Sequence, residues 1–416
     1  MKLLKVYISA FCMCSLSVLL NSCDDFLKEE PLDMKSSDQF WKTKADAESG
    51  VNALYFGGVP YLHNTDVGGG WTPKATMWGG IVSGLYVDKR KDRTFTTASE
   101  GCNFNIESFD DIAMKYWHEF YKGISRANFV IANIPTMTGV LDEATINNYV
   151  AQGKFFRAYG YFWLVKEFGG VPYISEPYTS TEGMYKERLS AEEVYKKIEP
   201  DLLDIVNGDA LPNKTFYENG CYVPSAMEQT LLAQVYLQWA GAPLNGGADY
   251  YGKAAQMALK VINDSPHELI HPNGTTDDLN SAYNVIKTTK ESAEIIYAKE
   301  YNYTNYSVGN SYACRSIGTD AFQWGVFHPG GDVLYNAYLP CDMLLNSYAS
   351  NDIRGHEKQF FFKQYTDAEG KTYTLNNAGN WAWFDENALI SGHDGDYNMP
   401  VFRFAEVLLI AAEGLA

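Results

Sequence analysis

Two stretches of this chain set metal-binding side chains at catalytic spacings. His267-Glu268-Leu269-Ile270-His271 is a literal H-E-x-x-H. On a helix this puts two imidazoles on one face to hold zinc, with a carboxylate to activate a metal-bound water. Glu291 or Glu294 stands far enough along to supply a third ligand. The flanks argue against that chemistry. Pro266 precedes the motif and Pro272 follows it, and the residue before a proline is pushed out of the α region. The expectation is a loop that closes with Leu269 and Ile270 in the core. Asp394-Gly395-Asp396-Tyr397-Asn398 has the oxygen-rich look of a calcium loop. No Glu closes it at the twelfth position, so a polar turn is expected. Neither G-x-x-x-x-G-K-S/T nor G-x-G-x-x-G occurs, and a serine nucleophile elbow is absent too. No phosphate cradle and no cofactor is expected. A glycosidase needs only two carboxyls at a set separation, which chain spacing does not reveal.

The second chemical signal is aromatic. The chain holds 30 Tyr, 22 Phe and 9 Trp. Trp41, Trp117, Phe155, Phe156, Phe162, Trp163, Phe168 and Trp239 fall on helical patterns, where core packing is expected. Trp71, Trp78, Tyr301, Tyr303, Tyr306, Trp324, Trp381 and Trp383 fall in loop-like stretches. There, packing and ligand contact both stay open. A flat sugar face laid on one ring removes ~100 Å² of apolar surface, worth ~2 kcal/mol before costs.

These rings need a frame. A helix is expected from Phe40 to about Tyr55, capped by Ser37 or Asp38. Residues 57–105 break the periodicity with Gly57-Gly58, Gly68-Gly69-Gly70 and Gly79-Gly80, and read as a long loop carrying Trp71 and Trp78. Helix returns at 110–134 and stops at Pro135. The stretch from about Ala144 to Phe168 is apolar on every side, which predicts a helix buried all round. Gly169-Gly170 and Pro172 end it. Ser190-Ala-Glu-Glu193 forms a capping box for a helix to about Val206. Two more helices are expected at 224–240 and 249–263, with small residues where they touch, which suggests tetratricopeptide-like pairs. Residues 295–400 are loop-rich, with a hairpin around Ala368-Glu369-Gly370, and helix reappears only from Phe404 to Leu415.

The first residues carry an address. Lys2 and Lys5 precede an apolar run from Val6 to Leu20, too short to span a bilayer, and Leu20-Asn21-Ser22-Cys23 follows. Residues 1–22 read as a lipoprotein signal, Cys23 as the acylated mature N-terminus, and residues 23–38 as an acidic tether. Residues 39–416 form the body. With 33 basic and 51 acidic side chains the net charge is −18, which excludes nucleic acid as a partner. Cys102, Cys221, Cys314 and Cys341 lie far apart with no C-x-x-C pair, so single thiols are expected.

Taken together, certain stretches resemble the SusD/RagB family of outer-membrane nutrient-binding lipoproteins. They are Cys23-Asp-Asp-Phe-Leu-Lys-Glu-Glu-Pro31, Tyr121-Lys-Gly-Ile-Ser-Arg-Ala-Asn128 leading to Asn133-Ile-Pro135, and Phe156-Arg157-Ala-Tyr159 through Phe168-Gly-Gly-Val-Pro172. Arg188 to Asp201, Ser292 to Tyr297 and Pro400-Val-Phe-Arg403-Phe-Ala-Glu406 add to them. The resemblance implies a mainly α fold of tetratricopeptide-like pairs with a loop-rich, irregular ligand-binding face, and no catalysis. It implies anchorage through Cys23, exposure at the cell exterior, and a SusC-like TonB-dependent transporter that receives captured oligosaccharide, or in some branches peptide. The binding regions implied hold Trp71, Trp78, Tyr303 and Trp324. Family members continue past the Arg403–Glu406 stretch, so the C-terminal part is expected to be truncated here. The competing functions are a surface glycoside hydrolase and a helical scaffold that binds only protein.

Overall fold

The computed structural model describes residues 39–56, 83–87, 111–178, 180–271, 279–307, 309–310, 312, 316–328, 336 and 338–416. The expected signal, the tether with Cys23, and the loop with Trp71 and Trp78 lie outside them, as do Cys102 and Cys314. Cys221 and Cys341 are free thiols.

The all-round apolar stretch becomes the centre of the main core. It is a helix from Glu143 to Phe168, α3 in a series that begins with α1 (Lys44–Tyr55) and α2 (Asp111–Asn133). Asp142 caps α3 by accepting from Thr145 N at 2.7 Å. Gly169 ends it at φ +68°, a left-handed turn that an L side chain rarely adopts. Phe155, Ala158, Tyr159, Tyr161 and Leu164 are completely buried. Gly153 lets α2 come close: a Cβ there would stand 2.9 Å from Ile131 Cγ1.

The remaining long helices are α4 (Ala191–Gly208), α5 (Ser225–Ala240) and α6 (Ala248–Asp264). Each of α2 to α6 packs on the next, as consecutive antiparallel pairs require. The Ser190 capping box is present: Ser190 Oγ accepts from Glu193 N at 3.2 Å and Glu193 Oε2 accepts from Ser190 N at 2.9 Å. Ser190→Ala is expected to cost about 1 kcal/mol, read as a lower midpoint in urea with an unchanged slope.

The residues that carry the family resemblance are stitches in this frame. Arg157 on α3 forms a two-pronged pair with Asp201 on α4, both bonds at 2.8 Å. Its third nitrogen donates to Asn128 Oδ1 on α2 at 3.0 Å and to the Ser175 carbonyl at 2.9 Å. Tyr121 OH donates to the Pro172 carbonyl at 2.7 Å, and Arg188 Nε donates to that of Gly170 at 2.6 Å. Together they join the helices to one another and to the 169–188 connection.

After α6 come α7 (Ala282–Thr288), a strand, Ile295–Lys299, and α8 (Tyr303–Tyr306). That strand pairs antiparallel with a late one, Met399–Arg403, placing Ile295 opposite Arg403. Arg403 Nη1 meets Glu294 Oε1 at 3.2 Å there. The last helix, Phe404–Leu415, lies against α6, where Gly414 passes close to the Tyr251 carbonyl. The partner that its apolar composition demands is therefore α6, although Leu409 and Leu415 stay 70% and 66% exposed.

Two sequence expectations change. Phe40 and Trp41 precede α1, and Thr43, not Ser37 or Asp38, caps it through a reciprocal box with Asp46. Trp41 turns left-handed at φ 63°, and its ring folds back over Gly50. Helix also does not wait for the last segment. Residues 295–400 hold short helices and a second core of Ile317, Phe327, Phe362, Tyr365, Leu375, Trp381, Phe384 and Leu389. The expected hairpin forms its scaffold, with strands Phe361–Thr366 and Thr372–Asn380 and Gly370 at φ +84° in the turn.

Candidate functional site

The H-E-x-x-H stretch is an extended loop beyond α6. His267 is buried, and its Nδ1 lies 2.7 Å from the Ala293 carbonyl oxygen, so Nδ1 carries the proton and donates. Burial holds its pKa below the ordinary imidazole value. Glu268 and His271 face solvent, while Ile270 N donates to Glu294 Oε2 at 3.0 Å. The two imidazoles share no face.

The Asp394–Asn398 stretch is likewise a connector. Asp396 Oδ2 accepts from Thr304 Oγ1 at 2.6 Å, and Asn398 Oδ1 accepts from Tyr301 N at 3.0 Å. These oxygens are spent holding the start of α8, rather than converging on a point. Among the described residues, no group of three His, Cys, Asp or Glu side chains could hold a metal.

A hollow of about 200 Å³ opens where α7, the 381–385 turn and the 395–403 segment meet. Its apolar wall comes from Tyr283, Phe360, Trp383, Tyr397 and Met399. Its polar groups are Lys287, Asn310, Gln359, Asp385, Asn398 and Arg403. Most of these polar groups are already engaged. Asn310 Nδ2 donates to the Tyr397 carbonyl at 2.9 Å, Asn398 Nδ2 donates to Glu300 Oε2 at 3.0 Å, and Gln359 Oε1 accepts from Ser281 Oγ at 2.6 Å. Asp385 accepts from Ala388 N at 3.2 Å and Asp396 N at 3.3 Å. Gly395 makes that approach possible, because a Cβ there would sit 2.5 Å from Asp385 Oδ2.

The wall is built by stacking. Trp383 stacks on both Tyr312 and Tyr338, with ring centres at 5.1 Å and 5.0 Å and planes 24° and 28° apart. Tyr338 in turn stacks on Tyr86 at 4.0 Å. Tyr86 and Leu339 belong to a two-residue antiparallel pairing, Tyr86–Val87 with Leu339–Pro340. The early region thus braces the hollow through a four-ring column.

Of the four aromatics singled out for ligand contact, Trp71 and Trp78 lie outside the described residues. Tyr303 stacks on His393 at 4.4 Å, just before the segment whose Gly395 and Tyr397 line the hollow. Trp324 is half-buried at the edge of the second core, stacked on Tyr373 at 4.9 Å. Neither lines the hollow. Trp383 does, and it was among the wider set of loop tryptophans. Tyr283, Phe360 and Tyr397 were missed. The sequence held no signal for them, and none that separates Trp381 from Trp383: residues two apart share a face on extended chain, but here Trp381–Trp383 is a 3-10 turn. Here Trp381 is buried in the second core while Trp383 faces the hollow.

Residues 86–237 match the sequence model of a SusD-like family, described as "Starch-binding associating with outer membrane". SusD-like protein P2 of Formosa agariphila is 26% identical over 96% of this chain and 76% of its own length. SusD-like protein P38 of the same organism is 31% identical over 48% of this chain, a match that spans 37% of P38. The chain thus covers little more than a third of that relative. A SusD superfamily protein from Parabacteroides distasonis, solved by crystallography, superposes with a TM-score of 0.77 at 25% identity, over 89% of this chain and 76% of that one. This chain has the SusD-like fold. The SusD-like fold is shared further with surface glycan-binding protein A from Bacteroides thetaiotaomicron, solved in complex with laminarihexaose, at a TM-score of 0.65 and 19% identity over 90% of this chain and 79% of that one. Glycan-binding proteins are therefore among its structural relatives.

Proposed function

We propose that this SusD-like chain captures oligosaccharide at the bacterial surface and passes it on unaltered. The observation that carries the proposal is the aromatic hollow, with Trp383 and Tyr397 flanked by amide side chains, on a frame shared with glycan-binding relatives. Aromatic faces bind the apolar face of a sugar ring. Non-catalysis is supported by Asp385. Among the described residues it is the one carboxylate lining the hollow, whereas glycoside hydrolysis needs a carboxyl pair astride the bond.

Residues 1–22 would be removed and Cys23 acylated, so that the acidic tether of residues 23–38 holds the body at the outer membrane, facing outward. A SusC-like TonB-dependent transporter would receive the cargo. Trp71, Trp78, Tyr303 and Trp324 would extend the contact surface beyond the hollow, each ring adding capture strength at modest total affinity. Peptide binding is the alternative cargo in this reading.

The test uses the full chain on a panel of neutral and charged glycans in affinity gels, with reducing ends measured in parallel. Retardation by at least one glycan with no new reducing ends is expected. New reducing ends would point to a hydrolase. No retardation by any glycan, with firm recovery of a transporter from native membranes, would point to a protein-binding scaffold.

A further inference from the structure

Lys287 stands out in the hollow of a chain whose net charge is −18. It comes from the last turn of α7, and its Nζ sits 4.2 Å from the ring centre of Trp381, 5.6 Å from Tyr397 and 5.7 Å from Phe384. Ring faces stabilise a cation but accept no ordinary hydrogen bond from it. An ammonium carries three donors. Among the described residues, none of its bonds goes to a carboxylate or carbonyl, and the nearby Asp385 oxygens already accept from Ala388 N and Asp396 N. Arg403, on the same rim, is paired with Glu294.

We propose that the hollow receives an anionic sugar, whose carboxylate or sulfate takes the Lys287 ammonium while the ring lies on Trp383. This rests on the glycan-capture reading and specifies its cargo. The geometry supplies both halves of such recognition: an apolar wall that includes Trp383 and Tyr397, and a cation with unspent donors 5.6 Å from the Tyr397 ring centre. Neutral sugars would leave those donors unanswered, whereas an anionic oxygen forms a charge-assisted bond.

Burial brings the Lys287 pKa down to about 7, against a smaller upward pull from Asp385. The free protein thus gives up this proton near neutrality. An anion favours the charged amine, so binding takes up a proton. Preference for anionic sugar is therefore greatest below pH 7 and falls as pH rises through it. The other charged or titratable groups around the amine are Tyr283 on α7, Asp385, Tyr397 and Arg403 across the hollow, and Lys358, 5.5 Å from the Trp381 ring centre.

The experiment is calorimetry at pH 6 and pH 8.5 with the full chain. Its probes are uronate oligosaccharides of several backbones, each beside its carboxyl-reduced partner, and sulfated oligosaccharides beside their desulfated partners. Expected is a preference of roughly tenfold or more for the charged member of at least one pair at pH 6, smaller at pH 8.5. Lys287→Met should erase that preference, and Lys287→Arg should restore it at both pH values. Which pair responds separates carboxylate from sulfate. Equal affinity for both members of every pair overturns the proposal while leaving glycan capture standing. Silence from every sugar overturns glycan capture itself. A preference that survives in Lys287→Met, with the variant's melting temperature unchanged, also overturns the assignment to this amine.

Discussion

Replacing Arg157 with alanine lowers the stability of the helical body by about 3–5 kcal/mol. The side chain joins three helical segments at one point through five-donor geometry: two bonds to Asp201, one to Asn128 and one to the Ser175 carbonyl. Only 9% of the Arg157 side chain and 12% of the Asp201 side chain is exposed. Removing the guanidinium leaves a nearly buried carboxylate with no counter-charge and strips a partner from the Asn128 amide oxygen. The penalty is that orphaned charge more than the lost attraction. Thermal and urea unfolding check it, with a fall in Tm on the order of 10 °C. Two companion variants identify the cause. Arg157→Lys recovers only part of the loss, since an ammonium cannot form the paired fork. Arg157→Met with Asp201→Leu costs less than Arg157→Ala alone, because no charge remains stranded. A double variant as damaged as the single one would assign the effect to packing.

Replacing Trp383 with alanine weakens glycan capture about 30-fold, the equivalent of ~2 kcal/mol of apolar area taken from one sugar face. The ring is a wall of the hollow and also stacks on Tyr312 and Tyr338. Its loss therefore acts twice, once on the platform and once on the column that fixes it. Trp383→Phe separates the two, because a smaller ring keeps the stack and part of the platform. Titration of the best panel glycan should rank wild type above Trp383→Phe, and that above Trp383→Ala. Tyr185→Ser is the control: that side chain is fully solvent-facing and far from the stack in sequence. Equal affinity for Trp383→Ala and wild type would remove the hollow from the capture surface.

The motifs that marked this family prove to be bolts of the frame. Arg157, Asp201, Asn128, Tyr121 and Arg188 tie helices and the 169–188 connection together, and none of them lines the hollow. The resemblance was thus legible in residues whose chemistry and place along the chain are fixed by the contacts they make. A binding surface is under no such rule. A platform for one sugar works with any ring that faces the right way, from any loop that reaches it.

What the sequence by itself determined is local and periodic. The apolar girdle of α3, the capping box at Ser190 and the stop at Gly169 each act within a few residues of chain, and each forms where expected. The proline brackets around His267–His271 and the turn at Gly370 are local too. Tertiary structure alone decided which rings face a ligand. Trp381 and Trp383 share a tripeptide, yet one is sealed against Phe384 and the other looks into the hollow. The difference comes from Tyr86, Tyr312 and Tyr338, which arrive from distant parts of the chain to hold Trp383. Periodicity records the face a residue turns to its own element; it holds no record of what a fold later brings opposite.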